Sequence, residues 1–357
     1  MRRKRTLPLA GRRTPRASAL AAAVAAAGVT ASGPAGALDP GREDVQAFVT
    51  ELADRHGFER EPLGRVLADA VSREDVLKLI SRPAEKAMPW HAYRERFLGE
   101  RRIQRGVEVW REHSPALARA AAAGVPEPVI LGIVGVETFF GENTGRHRVL
   151  DALATLAFDY PPRSRYFRGE LEQFLLMARE ESLDPRSPLG SYAGAMGIPQ
   201  FMPTSFRRFA VDGDSDGQRD LWADWSDVFS SVANYLAQHG WRQGQPVMAP
   251  ASVEVANLDG LDLDKLAMTE SVGSLRRRGV RFDTTLADDS PAVLLRLQGR
   301  DAPEYRVGFA NFYAITRYNR STLYASAVSD LADAIAAASR AAETPPAPAE
   351  SAPAPVQ

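Results

Sequence analysis

The chain has 357 residues, 45% hydrophobic and 25% charged, a soluble globular balance long enough for two or three packed units. It holds no cysteine, which excludes disulfides, thiolate nucleophiles and cysteine-ligated metals, and its histidines at 56, 91, 113, 147 and 239 form no zinc-binding pair. Seven of the 44 basic and none of the 45 acidic residues lie in 1–37, leaving 37 basic against 45 acidic residues, a net of −8, which makes nucleic acid a poor partner.

The first 37 residues read as a secretory signal peptide: an arginine-rich start, an alanine-rich run from Ala19 to Ala31, and a small-residue cleavage site ending at Ala37. Export to the periplasm or cell envelope follows, with no stable membrane span after cleavage. Residues 41–82 carry apolar positions at helical spacing and predict three short helices, the last ended by Pro83. Residues 93–123 predict one or two longer helices, with Phe97, Ile103, Val107, Val109 and Trp110 facing a core.

The stretch PVILGIVGVETFFGENTG, 128–145, is the most informative. Pro128 suits a first helical turn, and the eight residues from Val129 to Val136 include no polar side chain, so the helix is buried on every side. One carboxyl, Glu137, closes it, followed by two phenylalanines and the turn residues Gly141 and Gly145. Burial and the negative end of the helix both disfavour its charge, so its pKa is expected to rise, as suits a general acid.

Helices are predicted again at 149–157 and 170–181. Residues 184–204 have too much Gly and Pro for a helix and form a long loop. Within it, GSYAGAMGIPQFM supplies close backbone approach at Gly190, Gly194 and Gly197, polar groups at Ser191 and Gln200, and an apolar wall at Phe201, a set that suits an N-acetylated sugar. The DGDSDG run places Asp212, Asp214 and Asp216 as in the opening of a calcium loop. Ala223 stands where such a loop has its glutamate, so Asp227 and the Gln218 carbonyl are the expected remaining ligands, and the role of the ion is structural. A helix at 226–240 precedes a strand-containing stretch, 245–309, with Val-rich pieces at 253–255, 280–282 and 292–295. Helix resumes over 310–342, where TRYNRSTLY offers Tyr318, Asn319 and Tyr324. The tail from 343 is rich in Pro and Ala and is expected to be disordered.

The motifs GIVGVETFFG, VLDALATLAFDYP, ELEQFLLMARE, GSYAGAMGIPQFMP, SVANYLAQHGW and FYAITRYNRSTLYA, in this order, closely resemble the membrane-bound lytic murein transglycosylase B family from about Phe48 to Ile335. The resemblance implies a mainly α (α+β) fold. Its parts would be a helical domain at 38–120, a lysozyme-like core with an EF-hand-like calcium loop at 121–244, a small β insertion at 245–309, a return to the core at 310–342, and a tail at 343–357. It implies cleavage of the β-1,4 bond between N-acetylmuramic acid and N-acetylglucosamine of peptidoglycan glycan strands, ending in a 1,6-anhydromuramyl product. Glu137 falls on the catalytic position. Ser191, Gln200, Tyr318, Asn319, Tyr324 and Tyr93 fall on positions at the substrate, and Arg163 on one of two peptide-stem arginines, the other being Pro162 here. Asp212, Asp214, Asp216, Gln218 and Asp227 match the calcium loop. No cofactor is expected for the chemistry itself, and a monomer working beside cell-wall synthesis enzymes is expected. The chain has no acylatable cysteine, so a lipid anchor does not carry over.

The central motif offers a single carboxylate, whereas ordinary glycosidases use two. With one, the substrate's own N-acetyl carbonyl must assist. The rival readings are a hydrolytic muramidase using Glu142 or Asp151 with water, a non-catalytic peptidoglycan-binding protein, and a calcium-responsive adaptor.

Overall fold

A computed structural model describes residues 36–82, 88–254, 258, 260, 261, 263 and 266–343. The leader up to residue 35 and the tail from 344 lie outside the described residues. A two-residue ladder pairs β1 (Gly36–Ala37) with β2 (Val71–Ser72), and Leu38 beside it is lodged in the core.

The N-terminal part is helical: α1 (Glu43–His56), α2 (Arg60–Ala68), α3 (Glu74–Ile80), α4 (Trp90–Phe97), α5 (Glu100–Glu112) and α6 (Ser114–Ala121). Helix α1 shows the local logic. Glu43 and Asp44 stand in its first turn, Arg55 and His56 in its last, and Gly57 ends it in the left-handed conformation. The stretch expected to form one or two long helices is three, because Gly99 starts α5 afresh and Pro115 sits in the first turn of α6.

Helix α7 (Glu127–Thr138) is buried at ten of its positions, Val129 to Thr138. It packs along α14 (Thr322–Glu343). Gly132 permits the approach: a Cβ there would lie 2.7 Å from the Val328 carbonyl. Gly in a helix interior is unfavourable by about 1 kcal/mol relative to Ala, so its place here is explained by packing. Around this pair stand α8 (Val149–Phe158), α9 (Ser164–Glu180), α10 (Pro203–Phe209), α11 (Trp225–Gln238) and α13 (Ala310–Tyr318). Helix α9 starts six residues before the expected 170, since Ser164 follows a single 3-10 turn at Pro161–Arg163. The short ladder β3 (His147–Arg148) with β4 (Leu189–Gly190) ties the start of α8 to the glycine-rich loop.

Between α11 and α13 comes an antiparallel sheet of β5 (Met248–Ala251), β6 (Glu270–Ser271), β7 (Pro291–Gln298) and β8 (Pro303–Gly308), in the order β5-β8-β7-β6. The short helix α12 (Val272–Arg277) covers one face, over Ala249, Leu294 and Val307. The other face, with Val293, Leu295 and Leu297, joins the main core. The strand expected at 292–295 is present within β7. The other two Val-rich pieces are not strands: Val253 and Glu254 follow β5 without pairing, Val255 lies outside the described residues, and Arg281 makes one bridge to Ser252. Val280, 2% exposed, plugs the small core after α12, so its side chain marks burial and not a ladder.

Candidate active site

Glu137 occupies the last turn of α7, where the helix is stopped by three consecutive left-handed residues, Phe139 (φ 53°), Phe140 (φ 55°) and Gly141 (φ 86°). Phe140 turns inward under Gly135, and Phe139 turns out beneath the guanidiniums of Arg101 and Arg102, 4.9 and 4.6 Å from its ring centre. The reversal leaves Glu137 7% exposed, with Thr138 clamping the turn to the glycine-rich loop through a 2.8 Å bond to the Ile198 carbonyl.

Glu137 makes no ion pair among the described residues. Its partner is Tyr324 of α14, whose hydroxyl donates to Oε1 at 2.6 Å. Burial pushes the acid up to about 7, and the Tyr324 bond, which favours the carboxylate, pulls the other way. Its charge acts on four phenols. Tyr93, Tyr235, Tyr318 and Tyr324 are all raised first by burial and then by the Glu137 charge. Tyr93 of α4 is pushed up to about 12, so all four stay protonated donors at neutral pH.

The glycine-rich loop forms the adjoining wall. A Cβ at Gly145 would fall 2.1 Å from the Gly190 carbonyl, so the turn after α7 and the loop touch backbone to backbone. Gln200, at φ 52°, donates its amide to the carbonyls of Thr144 and Gly197 at 3.0 and 2.9 Å, while its Oε1 is buried without a partner. Tyr318 donates to the Pro199 carbonyl at 2.7 Å and lies 6.5 Å, ring to ring, from Tyr324. Glu137, Tyr324, Tyr318, Gln200 and Tyr93 are thus one constellation, and half-buried Asn319 follows Tyr318 at the end of α13.

Other residues singled out in the sequence are placed differently. Ser191 is 4% exposed, and its hydroxyl accepts from the N–H groups of Ala193 and Ala195, shaping the loop itself. Phe201 is 2% exposed and packs on Tyr235 and Tyr318, beneath the surface and not as an open wall. Arg163 stacks on Tyr166 and Phe167, and its charge favours the carboxylate of Glu170. Tyr235 was not foreseen: inside the apolar pattern of α11 it reads as core, and its hydroxyl bond to the Arg317 carbonyl has no sequence signature. The two alternative carboxylates are otherwise engaged. Glu142 pairs with Arg101 at 2.8 Å, and Asp151 accepts from Arg148 at 2.8 Å and from the Val71 N–H at 3.0 Å.

In the acidic loop, one carboxylate oxygen each from Asp212, Asp214 and Asp227 lie within 4.8 Å of one another. Asp227 is 1% exposed and pushed up to about 6, by burial first and then by Asp224 and Asp214. Three converging carboxylates with hard oxygen donors fit a calcium ion, which would offset their repulsion. Asp216 stands outside this trio and accepts from the Gln218 N–H at 2.8 Å.

A family profile described as "Transglycosylase SLT domain" matches residues 41–333. The membrane-bound lytic murein transglycosylase B of Escherichia coli K12 is 42% identical over 305 residues, covering 83% of each chain. The crystal structure of the soluble lytic transglycosylase SltB1 of Pseudomonas aeruginosa superimposes with a TM-score of 0.80 at 48% identity, over 84% of this chain and 99% of that one. The structure of Escherichia coli Slt35 in complex with calcium gives 0.77 at 42% identity, over 84% and 95%. Among the described residues, no helix is long and apolar enough to cross a membrane.

Proposed function

The chain belongs to the transglycosylase SLT domain family, and from that premise we propose how it acts as a lytic murein transglycosylase: Glu137 serves first as acid and then as base, cutting the β-1,4 bond between N-acetylmuramic acid and N-acetylglucosamine without water. The observation that carries this is the buried Glu137 carboxyl, held near 7 and, among the described residues, hydrogen-bonded only to Tyr324. Protonated Glu137 gives its proton to the glycosidic oxygen as the bond to the muramyl C1 breaks. The N-acetyl carbonyl oxygen of the same sugar bonds to C1 and holds the positive charge. The Glu137 carboxylate then takes the proton of the C6 hydroxyl, O6 bonds to C1 and displaces the acetamido oxygen. The 1,6-anhydro ring closes, and Glu137 is returned protonated.

The lone acid suits this route better than hydrolysis, because Glu142 and Asp151 both hold other partners. Tyr324 orients the acid. Tyr93, Tyr318, Asn319 and Gln200 are the surface on which the sugar is read, Ser191 and Phe201 supporting it from beneath. Asp212, Asp214 and Asp227 hold a structural calcium ion, with Asp216 and the Gln218 carbonyl completing the shell. Residues 1–37 direct the chain to the cell envelope, where it works on glycan strands as a monomer beside the enzymes of wall synthesis.

Mass analysis of peptidoglycan digests tests the reaction. Wild type should release muropeptides one water lighter than hydrolytic products, and Glu137→Gln should release none while keeping its fold. Hydrated products, or substantial activity in the variant, would overturn it.

A further inference from the structure

One buried acid has no part in bond breaking. Glu170 of α9 is 5% exposed, and its Oε2 accepts from the Thr204 N–H at 3.0 Å. Burial pushes its pKa up, while the Thr204 N–H and hydroxyl, the Tyr166 phenol and the Arg163 charge favour the carboxylate. A buried carboxyl costs stability unless hydrogen bonds offset it, and apolar side chains of similar size join two helices at least as well. Its presence between α9 and α10 is therefore explained by what it holds and not by packing.

What it holds is the exit of the glycine-rich loop. Met196 and Phe201 exchange backbone bonds at 2.8 and 3.0 Å, which closes residues 197–200 into a tight turn, and Met196 also bridges to Gly190. Gly190 is fixed by the β3–β4 ladder. At the other end Pro203 has no N–H, so the first N–H beyond Met202 is that of Thr204, and Glu170 takes it. Arg207, in the last turn of α10, donates to Glu180 at the end of α9 at 2.6 Å, so α10 is tied to α9 at both ends. Gln200 lies four residues before Thr204 at φ 52°, a left-handed conformation that a non-glycine residue keeps only where its surroundings hold it. We propose that Glu170 is a positioning residue: it anchors the loop's exit on α9, holds Gln200 in the conformation that meets the sugar, and so sets the affinity for glycan without touching it. The proposal deepens the transglycosylase reading and rests on it.

Initial rates of muropeptide release from peptidoglycan are measured for the full chain, with melting temperatures alongside. Glu170→Gln keeps the size of the side chain and loses its charge. Glu170→Asp keeps the charge, draws it back from Thr204, and serves as the test if the first variant does not fold. Each should raise KM about fivefold, the scale of one hydrogen bond, with kcat held. In a Gln200→Ala background the group being positioned is already gone, so neither variant should raise KM further, while each should lower the melting temperature as it does in wild type. A lower melting temperature with KM unchanged, or the same rise in KM in both backgrounds, would reduce Glu170 to a structural part and overturn the proposal. Hydrated products from wild type would overturn the transglycosylase reading and leave the coupling to Gln200 readable from KM as before. No release from wild type would overturn both.

Discussion

Tyr324 and the protein interior pull Glu137 in opposite directions. Burial raises the acid to about 7, whereas the 2.6 Å hydroxyl bond favours the carboxylate. The first step of the proposed mechanism needs the acid, so wild-type kcat/KM should decline as pH rises through about 7. Tyr324→Phe removes the only pull toward the carboxylate. Its alkaline limb should move to higher pH, and its kcat should fall by about tenfold or more, because the second step needs a ready base. A pH–rate profile checks both, and an unmoved limb would separate Tyr324 from the acid. The same shift has a stability sign. Between pH 4.5 and about 7 the folded chain holds a proton that the unfolded chain releases, so Glu137 costs stability as pH rises through that window. Glu137→Gln should be more stable than wild type above pH 7, by at most about 3 kcal/mol, and equal to it below pH 4. Glu137 was legible in the sequence because a lone carboxyl ends an apolar run. Tyr235 was not, since a phenol at a core position of a helix looks the same whether or not a buried acid's charge acts on it.

Helices were legible at the scale of elements because a 3.6-residue period is written along the chain itself. The charges at the ends of α1, α2 and α3, acidic in each first turn and basic in each last, fit their boundaries, and Gly57 ends α1. Strands were less so. PEYRVG forms β8, the centre of the ladder between β5 and β7, yet it was not among the Val-rich pieces expected as strands: its pairing runs from 5 residues away (Gln298 with Pro303) to 60 away (Met248 with Gly308), in a register only the fold sets. The acidic loop falls between these cases. Its D-x-D-x-D-G spacing was plain, whereas the role of Asp227 depends on α11 carrying it back, where it accepts from the Gly213 and Asp220 N–H groups at 2.7 and 2.6 Å. Calcium should raise the melting temperature by binding the folded loop only, by about 3 kcal/mol at a hundredfold excess over Kd. Asp227→Asn should lose that calcium response. A melting curve indifferent to calcium and chelator in wild type would remove the ion from the loop.

For the whole molecule, what joins the sheet to the helices is not written in the sequence. The apolar face of β7 is one half of that joint. The other half is ionic. Asp330 of α14, 13% exposed, accepts from Arg306 of β8 at 2.5 and 3.1 Å and from Arg94 of α4 at 2.8 Å. Arg306 also lies over the ring of Trp90, whose indole donates to Glu304 of β8 at 3.1 Å. A cleft of about 800 Å³ opens beside this network, between β5, β8 and α14, so the sheet is held at one edge of its inner face and not across the whole of it. Removing one partner from a mostly buried charge cluster costs more than the cluster contributes, because the other charges stay behind unpaired. Asp330→Asn leaves Arg94 and Arg306 facing each other, at a cost of about 2 kcal/mol after allowing for Arg94 being half exposed. The same helix carries Tyr324, so a merely global loss of stability and a local release of the sheet must be told apart. Hydrogen exchange does so: release of the sheet raises exchange in β5 and β8 while the amides of α7 and α8 keep their protection. Exchange rising equally in the sheet and in α7 would show that Asp330 supports the core as a whole and does not act as the latch of the sheet.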